Sequence, residues 1–482
     1  MSQPFSSSLS EGNLVRHGVL RAKRSGFLAR AWFFGVLTMH ALSSEGAEEL
    51  DPQEEIRQLR QQASEIMKRL EYLEAKLEAR QQTPISIEPP VESADSMSIE
   101  TPTETLAAGT VDVAGEKSMQ ESKGLLDLKT FDTVLTVGGR LTLDAFQMWP
   151  DTPLLRTYEA PLEGSGKNGQ FRSHARETRL WIKSRTPTRL GMLRALVETD
   201  FAGTPGNEIL TNSHQIRLRH AYFQLNGLTV GQTWSAFQLN ETADVIVDPT
   251  IMGFIRQPQI RWSWDSDWLS YDVSVENPET TLTDPWGRQV LPSDDRWPDL
   301  VGRIRHQADW GSATMAVMLR DIRQDRATLS NGLQLDNTDS KLSWSTSGSA
   351  LIKTWNKDDI RLGYVYGNGL GRYVAANTFN DATINAQGEI DLQTSWGAYG
   401  AYRHWWSPEW RSTVLYSMAA TDNNPGTPGT ANKRVGSWQA NLFWMPIEDA
   451  LFGLEYMRYR RDLENGSQGG FDMIYFRALY NF

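Results

Sequence analysis

From residue 131 to the C-terminus the chain repeats one unit about sixteen times: roughly ten residues of alternating, moderately apolar character, then a break. The breaks alternate between long and short, and the last repeat ends on an aromatic, in Arg477 to Phe482. Period-two alternation puts one apolar and one polar face on each strand. Hairpins whose two ends face different compartments then give short turns on one side and long loops on the other. The pattern predicts an all-β, antiparallel transmembrane barrel of about sixteen strands, occupying residues 124–482.

The short turns fall at Thr186 to Thr188, Asn226-Gly227, Asp265 to Asp267, Ala308-Asp309, Asn356 to Asp359, Ser407 to Glu409 and Pro446 to Asp449. Trp264, Trp268, Trp310, Trp355, Trp405, Trp406, Trp410 and Trp444 flank them. Indole rings favour the membrane–water boundary, so a tryptophan band at one rim fits a barrel in a bilayer. A soluble propeller also repeats Trp, but it requires a self-similar period near forty residues, and none is visible. An even strand number places both barrel ends on the short-turn, periplasmic side. The final strand separates Asp472, Ile474, Phe476, Ala478, Tyr480 and Phe482 from Met473, Tyr475, Arg477, Leu479 and Asn481. Its terminal Phe resembles the signal by which the barrel-insertion machinery of the outer membrane recognises its clients.

Three further segments precede the barrel. Residues 1–47 read as an export signal: basic residues from Arg16 to Arg30, a twelve-residue apolar run Ala31 to Leu42, then small residues at Ser43, Ser44, Gly46 and Ala47. As a helix that run would span about 18 Å, short of the ~30 Å hydrocarbon core an anchor must cross. Residues 48–82 carry an unbroken a/d seam, with Ile56, Leu59, Ala63, Ile66, Leu70, Leu73 and Leu77 at alternating spacings of three and four. This predicts a self-associating coiled-coil stalk of roughly 45 Å in the periplasm, with a contact to the cell wall open to it. The a and d residues do not settle the number of strands in the coil. Residues 83–123 are an acidic linker broken by Pro84, Pro89, Pro90 and Pro102.

Composition narrows the function. The net charge of −11 argues against nucleic acid as a partner. With no Cys and seven scattered His, no metal-ligand spacing and no thiol chemistry are present, and no cofactor or enzymatic activity is expected. Tyr366 to Gly371 (YGNGLG) has the glycines of a loop apex, with no helix behind it to make a nucleotide loop. Two other readings stay open: a structural envelope tether acting through the stalk, and a barrel hydrolase, for which no local motif is visible.

In such a barrel a charge flanked by apolar residues points inward. That rule selects Arg140, Arg194, Arg217, Arg219, Arg261, Arg303, Arg305, Arg361 and Arg477 against Asp144, Glu198 and Asp200. A lumen so lined favours small anions, above all carboxylates and phosphates that a guanidinium grips in bidentate fashion. The segment Ser235 to Gln257 is too apolar for a solvent loop, and it carries Glu241, Asp244 and Asp248. Folded into the lumen it would set carboxylates against the arginines and narrow the channel. Packed on a neighbouring subunit, it would be an interface.

The runs Ile216 to Ser235, Val230 to Phe237 and Arg256 to Trp262, in the order stalk, linker, barrel, resemble the DcaP-type outer-membrane porins. The resemblance implies a homotrimer in contact with outer-membrane lipids and a passive channel for small anionic solutes, dicarboxylates among them. It also implies that Arg217, Arg219, Arg256 and Arg261 line the pore. Phe223 is bulkier than that pattern suggests.

Overall fold

The structure is a computed structural model, and it describes residues 126–130, 132–150, 160–163, 169–207, 211–248, 250–251 and 255–482. The expected signal, stalk and linker lie outside the described residues. Sixteen strands form the barrel. They are β1 Thr133–Trp149, β2 in two pieces (Gln170–His174 and Arg179–Thr188), β3 Gly191–Asn207, β4 Ser213–Leu225, β5 Leu228–Trp234 and β6 Arg256–Asp265. β7 Leu269–Glu276, β8 Asp299–Ala308, β9 Gly311–Asp325, β10 Thr338–Lys353 and β11 Asp359–Asn368 follow. β12 Thr394–Trp405, β13 Trp410–Asp422, β14 Asn432–Ile447, β15 Ala450–Leu463 and β16 Gln468–Asn481 complete it. Each pairs antiparallel with its chain neighbours, and β16 pairs with β1 from Arg140↔Asn481 to Trp149↔Asp472. The barrel is closed, so no strand edge is left between them. A short strand, Leu126–Thr130, runs beside the lower half of β1, below the end of β16.

Closure is sealed by the last residue. Gly139 and Phe482 exchange two backbone hydrogen bonds of 3.0 Å. A Cβ on Gly139 would stand 2.2 Å from the Phe482 ring, so any side chain there would displace that ring.

The interior and exterior are inverted relative to a soluble protein. Leu141, Leu143, Leu180, Ile182, Val273, Val317, Leu362, Val414, Leu454 and Ile474 are exposed, while Asp144, Asp200, Asp272, Arg320, Arg411 and Glu455 are buried. Only lipid outside makes that arrangement stable. Trp264, Trp268, Trp310, Trp355, Trp406, Trp410 and Trp444 are exposed at the short-turn rim, as expected. Trp405 is the exception: it turns inward, under the guanidinium groups of Arg403 and Arg411.

Connections follow the expected rhythm with shifted limits. The strand through Thr188 pairs as far as Gly191, so the first short turn is Arg189-Leu190 rather than Thr186 to Thr188. Pro187 sits inside the ladder, at its periplasmic end. Asn226 and Gly227 both have positive φ (49° and 89°), as a two-residue primed hairpin turn requires. The long loop expected from the sequence at Asp462 to Gly469 shrinks to four residues, 464–467, because Asp462 still pairs with Gln468. Outside the barrel, a second sheet of four short strands joins Leu282–Thr283, Gln289–Val290, Ala382–Ile384 and Ile390–Leu392. Leu282, Val290, Leu329, Leu335, Ile384 and Ile390 give it a small core of its own.

Candidate functional site

The connection 235–255 between β5 and β6 runs along the inner wall. Its hydrogen bonds mark the path strand by strand. Ala236 N–H donates to Glu276 Oε1 on β7 (2.8 Å), and Asn240 Nδ2 to Thr314 on β9 (3.3 Å). Ser347 on β10 donates to Phe237 O (2.7 Å), and Arg361 on β11 to Thr242 O (2.5 Å). Asn441 on β14 donates to Asp244 O (2.8 Å), and Glu455 on β15 accepts Ile246 N–H (2.7 Å). The partners are inward-facing by register, so the segment folds into the lumen. Two sequence features allow it. Ser343, Ser345, Ser347 and Ser349 alternate along β10 and give a small, polar bed for the loop backbone. The apolar residues Phe237, Leu239, Val245, Ile246 and Ile251 bury against Tyr399, Leu415, Ala419, Val435 and Phe443 of the far wall.

The three expected carboxylates of this loop are all engaged. Glu241 takes Ser349 Oγ at 2.5 Å and Thr314 Oγ1 at 3.2 Å. Asp244 takes Arg411 at 2.5 Å and Arg403 at 3.5 Å. Asp248 takes Ser417 Oγ at 3.2 Å and the Thr250 N–H at 2.9 Å. They fasten the loop to the wall; the expected limit at Gln257 moves to 255, because Arg256 and Gln257 already belong to β6.

A second connection also enters the barrel. In the segment 369–381 Leu370, Tyr373, Val374, Ala375 and Phe379 are buried with the first loop, and the Phe237 and Tyr373 rings meet edge to face at 5.3 Å. Ala375, Ala376 and Asn377 are consecutively left-handed (φ 48°, 50° and 63°), a conformation that costs non-glycine residues energy and persists only where surroundings impose it. Arg320 on β9 supplies that constraint. It is fully buried, donates to Gly369 O (2.7 Å) and Glu279 O (2.8 Å), and ion-pairs with Asp299 (3.2 Å) and Asp381.

These two loops divide the arginines. On the covered wall Arg303, Arg361, Arg403 and Arg411 are buried and bound. Arg303 holds Asp272 (2.7 Å) and reaches Asn240 (3.4 Å), and Arg361 holds Asp359 (2.9 Å). Arg305 stands nearer the periplasmic end, between Asp272 (3.6 Å) and Asp265 (3.5 Å). The opposite wall, β1 to β6, keeps part of its cations in contact with solvent, while Lys183, Arg219 and Arg261 are buried there. By register Arg140, Arg179, Lys183, Arg185, Arg194, Arg217, Arg219 and Arg261 face inward there, against Asp144, Glu198 and Asp200. Arg185 and Arg194 are exposed, and Arg140, Arg179, Arg217 and Arg256 are partly so. Arg140 donates to Asn481 (3.0 Å), Arg217 is bidentate to Asp200, and Arg219 joins Glu198 (2.5 Å) to Asp200 (3.0 Å). Arg261 is buried beside them. Arg256 has its guanidinium 4.5 Å from the Trp234 ring, and no carboxylate among the described residues lies within ion-pair distance of it. Charges of Arg219, Arg217 and Arg179 act on it.

A β-bulge explains part of this cluster. The register slips between Glu198 and Thr199, so that both Arg219 and His220 turn inward. His220 accepts or donates at Thr233 Oγ1 (3.0 Å), and Arg219 is released toward the carboxylates. Sequence reasoning missed Arg179, Arg320, Arg403 and Arg411. Arg411 and Arg403 sit beside the turn tryptophans, and Arg320 is followed by Asp321, so none is flanked by apolar residues on both sides. Counting strict alternation inward from the turn would have found them.

A closed barrel with lipid outside, ionised groups inside and a loop folded into its lumen defines an outer-membrane channel of porin type. A porin subfamily model matches residues 154–468, and the chain belongs to that family. Its fold is similar to the outer membrane channel DcaP of Acinetobacter baumannii, at TM-score 0.64 and 21% identity over 74% of this chain and 100% of that one. This agrees with the resemblance carried by Val230 to Phe237 and Arg256 to Trp262. The anion-selective porin from Comamonas acidovorans (9% identical, 73% and 100% covered, TM-score 0.47) and OmpT of Vibrio cholerae (8%, 74% and 100%, 0.48) align more loosely, too loosely to carry weight. No curated protein matches the chain.

Proposed function

We propose that this porin is a passive, anion-selective diffusion channel for small solutes such as (di)carboxylates. The contrast between the two walls carries the reading: Arg303, Arg361, Arg403 and Arg411 on the covered wall are all buried, whereas on β1 to β6 Arg140, Arg179, Arg185, Arg194 and Arg217 keep contact with water around the buried Arg219 and Arg261. Solute passes along that basic wall, with loop 235–255 as the constriction opposite it. Arg140, Arg217, Arg219, Arg256 and Arg261 attract and align the carboxylate there. Arg303 and Arg361 set the width by holding the loop, and Arg305 acts at the periplasmic mouth. Glu241, Asp244 and Asp248 are structural in this reading. The channel performs no reaction and uses no cofactor or metal. It works as a homotrimer joined by the heptad seam of residues 48–82, which stands in the periplasm after cleavage of 1–47, with 83–123 as its linker.

Planar-bilayer recording under a salt gradient tests the reading. The reversal potential takes the sign of anion preference, and dicarboxylates reduce the current as they occupy the arginines. A cation-selective or silent protein overturns it. Deleting residues 48–82 separates the tether alternative: lost envelope integrity with unchanged conductance would favour a tether.

A further inference from the structure

The outer wall carries a charged recess that the transport reading leaves unused. On β14 and β15 the outward positions run Trp444, Leu442, Ala440, Trp438, Gly436, Arg434 and Phe452, Leu454, Tyr456, Arg458, Arg460 from the periplasmic to the extracellular end. Apolar residues give way to aromatics and then to arginines within about two residues, some 7 Å of strand. One cross-strand row holds Trp438, Arg458, Asp472 and Trp149. Trp438 and Trp149 are exposed, and the Trp438 and Tyr456 rings meet at a tilt, 5.0 Å apart, so this row is the extracellular aromatic belt.

The next row holds Gly436, Arg460 and Gly470. Both neighbours are glycines, so no side chain of β14 or β16 shields Arg460, and the chain at Pro161 lies against Gly470 (3.1 Å). A recess of about 220 Å³ lies there, bounded by Trp149, Pro161, Glu163, Arg458, Arg460 and Asp472, and Arg434 stands one outward row further toward the extracellular end. The three arginines keep much of their surface free: 55% for Arg434, 42% for Arg458 and 48% for Arg460. Their carboxylates hold them loosely. Arg434 meets Asp462 at 4.0 Å and Arg458 meets Asp472 at 3.9 Å, and Asp472 already accepts the Tyr456 hydroxyl at 2.6 Å. Arg460 is closer to its partner, Glu163, at 3.1 Å.

We infer that Arg434, Arg458 and Arg460 form a site on the outside of the barrel for the phosphate of an outer-leaflet lipid. The chemistry of the recess selects that ligand. Guanidinium forks match phosphate oxygens in bidentate fashion, and they lie at headgroup height directly above an apolar wall that takes acyl chains. Among the described strand residues the other outward arginine at this end is Arg323, paired with Asp325 at 2.9 Å, and Arg326 just beyond that strand holds the same carboxylate at 3.3 Å.

The test compares wild type with the triple variant Arg434→Gln, Arg458→Gln, Arg460→Gln. Each is reconstituted in phosphatidylcholine vesicles with lipid A carrying its phosphates, with fully dephosphorylated lipid A, or with inorganic phosphate alone. Barrel unfolding is read from the heat-induced gel shift. Phosphorylated lipid A raises the unfolding temperature of wild type, the triple variant loses that rise, and triple Arg→Lys restores part of it. Single-channel conductance stays the same in all three proteins, because the residues face away from the lumen. Equal stabilisation by phosphorylated and dephosphorylated lipid, or the whole effect from inorganic phosphate, overturns the inference. So does a triple variant that falls from trimer to monomer in detergent without lipid, which would make the patch a contact between copies.

Discussion

Asp244 of the inward loop and Arg411 of β13 are both fully buried and meet at 2.5 Å, so the loop is riveted to the wall it covers. Arg403 stands on the other side of the same carboxylate at 3.5 Å. Removing one member of a buried pair leaves an uncompensated charge, at a cost of about 3–5 kcal/mol. Asp244→Asn therefore loosens the loop and lowers the temperature of barrel unfolding. Single-channel records then show larger, noisier openings than wild type. A double change, Asp244→Leu with Arg411→Met, removes both charges and recovers most of the stability. Quiet wild-type conductance in Asp244→Asn would contradict the rivet.

Arg320 does the same for the second loop. It ties Asp299 on β8 to Asp381 and to the carbonyls of Gly369 and Glu279, and so holds the left-handed stretch Ala375 to Asn377 in place. Arg320→Met leaves two buried carboxylates facing each other, a loss on the order of 3–5 kcal/mol. The expected outcome is rapid protease cleavage within 369–393 while the barrel strands stay protected. Conductance rises with it, since Tyr373 and Phe379 leave the lumen. Equal protease resistance in the variant would show that the apolar contacts alone hold the loop.

How far the sequence could be read depends on the range of the contacts involved. Strand alternation is local, so the inward placement of Arg217, Arg303 and Arg361 was legible, and so were the seven short connections to within a few residues. Loop 235–255 was legible because its run of Val245, Ile246, Ile251 and Ile255 is too apolar for water. The inward fold of 369–381 was not legible: its apolar residues are interleaved with Gly, Asn and Thr, and their partner surface is built by Phe237 and Ile251, more than a hundred residues away. Nor was the bulge at Arg219 and His220, which breaks the alternation the reading relied on. Arg403 and Arg411 were hidden for a different reason. Position beside a turn suggested a rim, whereas register places them inside.

Acid stability tests the periplasmic turn 354–358. Burial alone would raise the Asp358 carboxyl, but the Trp405 N–H (2.9 Å), the Tyr402 hydroxyl (2.7 Å) and His404 (2.7 Å) together hold it below the ordinary value of 3.8. A depressed carboxyl stabilises the fold fully above its unfolded value, and that contribution is lost as pH falls through the lower folded value. Wild type therefore loses part of its stability only below about pH 4. Asp358→Asn is less stable than wild type at pH 7, and its unfolding temperature is flatter across the acid range. Parallel acid limbs for the two proteins would remove Asp358 from the account.

Selectivity tests the basic wall itself. Arg256 stands over Trp234 with no carboxylate partner among the described residues, and Arg217 is shared with Asp200. An anion beside Arg256 therefore meets a guanidinium that touches no carboxylate among the described residues, with Asp200 acting on it only from a distance. Two unit charges about 4 Å apart in water interact by ~1 kcal/mol, roughly fivefold in occupancy. Arg256→Gln should reduce anion preference by about that factor, and Arg217→Gln by less, because it frees Asp200 while leaving Arg219 to bind it. Arg361→Gln acts differently, through the loop: it changes conductance more than the reversal potential, since its guanidinium is buried on Asp359 and Thr242. Reversal potentials at low and high salt separate these effects, because screening weakens the first two and leaves the third. If Arg256→Gln and Arg361→Gln shift the reversal potential equally, solute does not travel along the β1 to β6 wall.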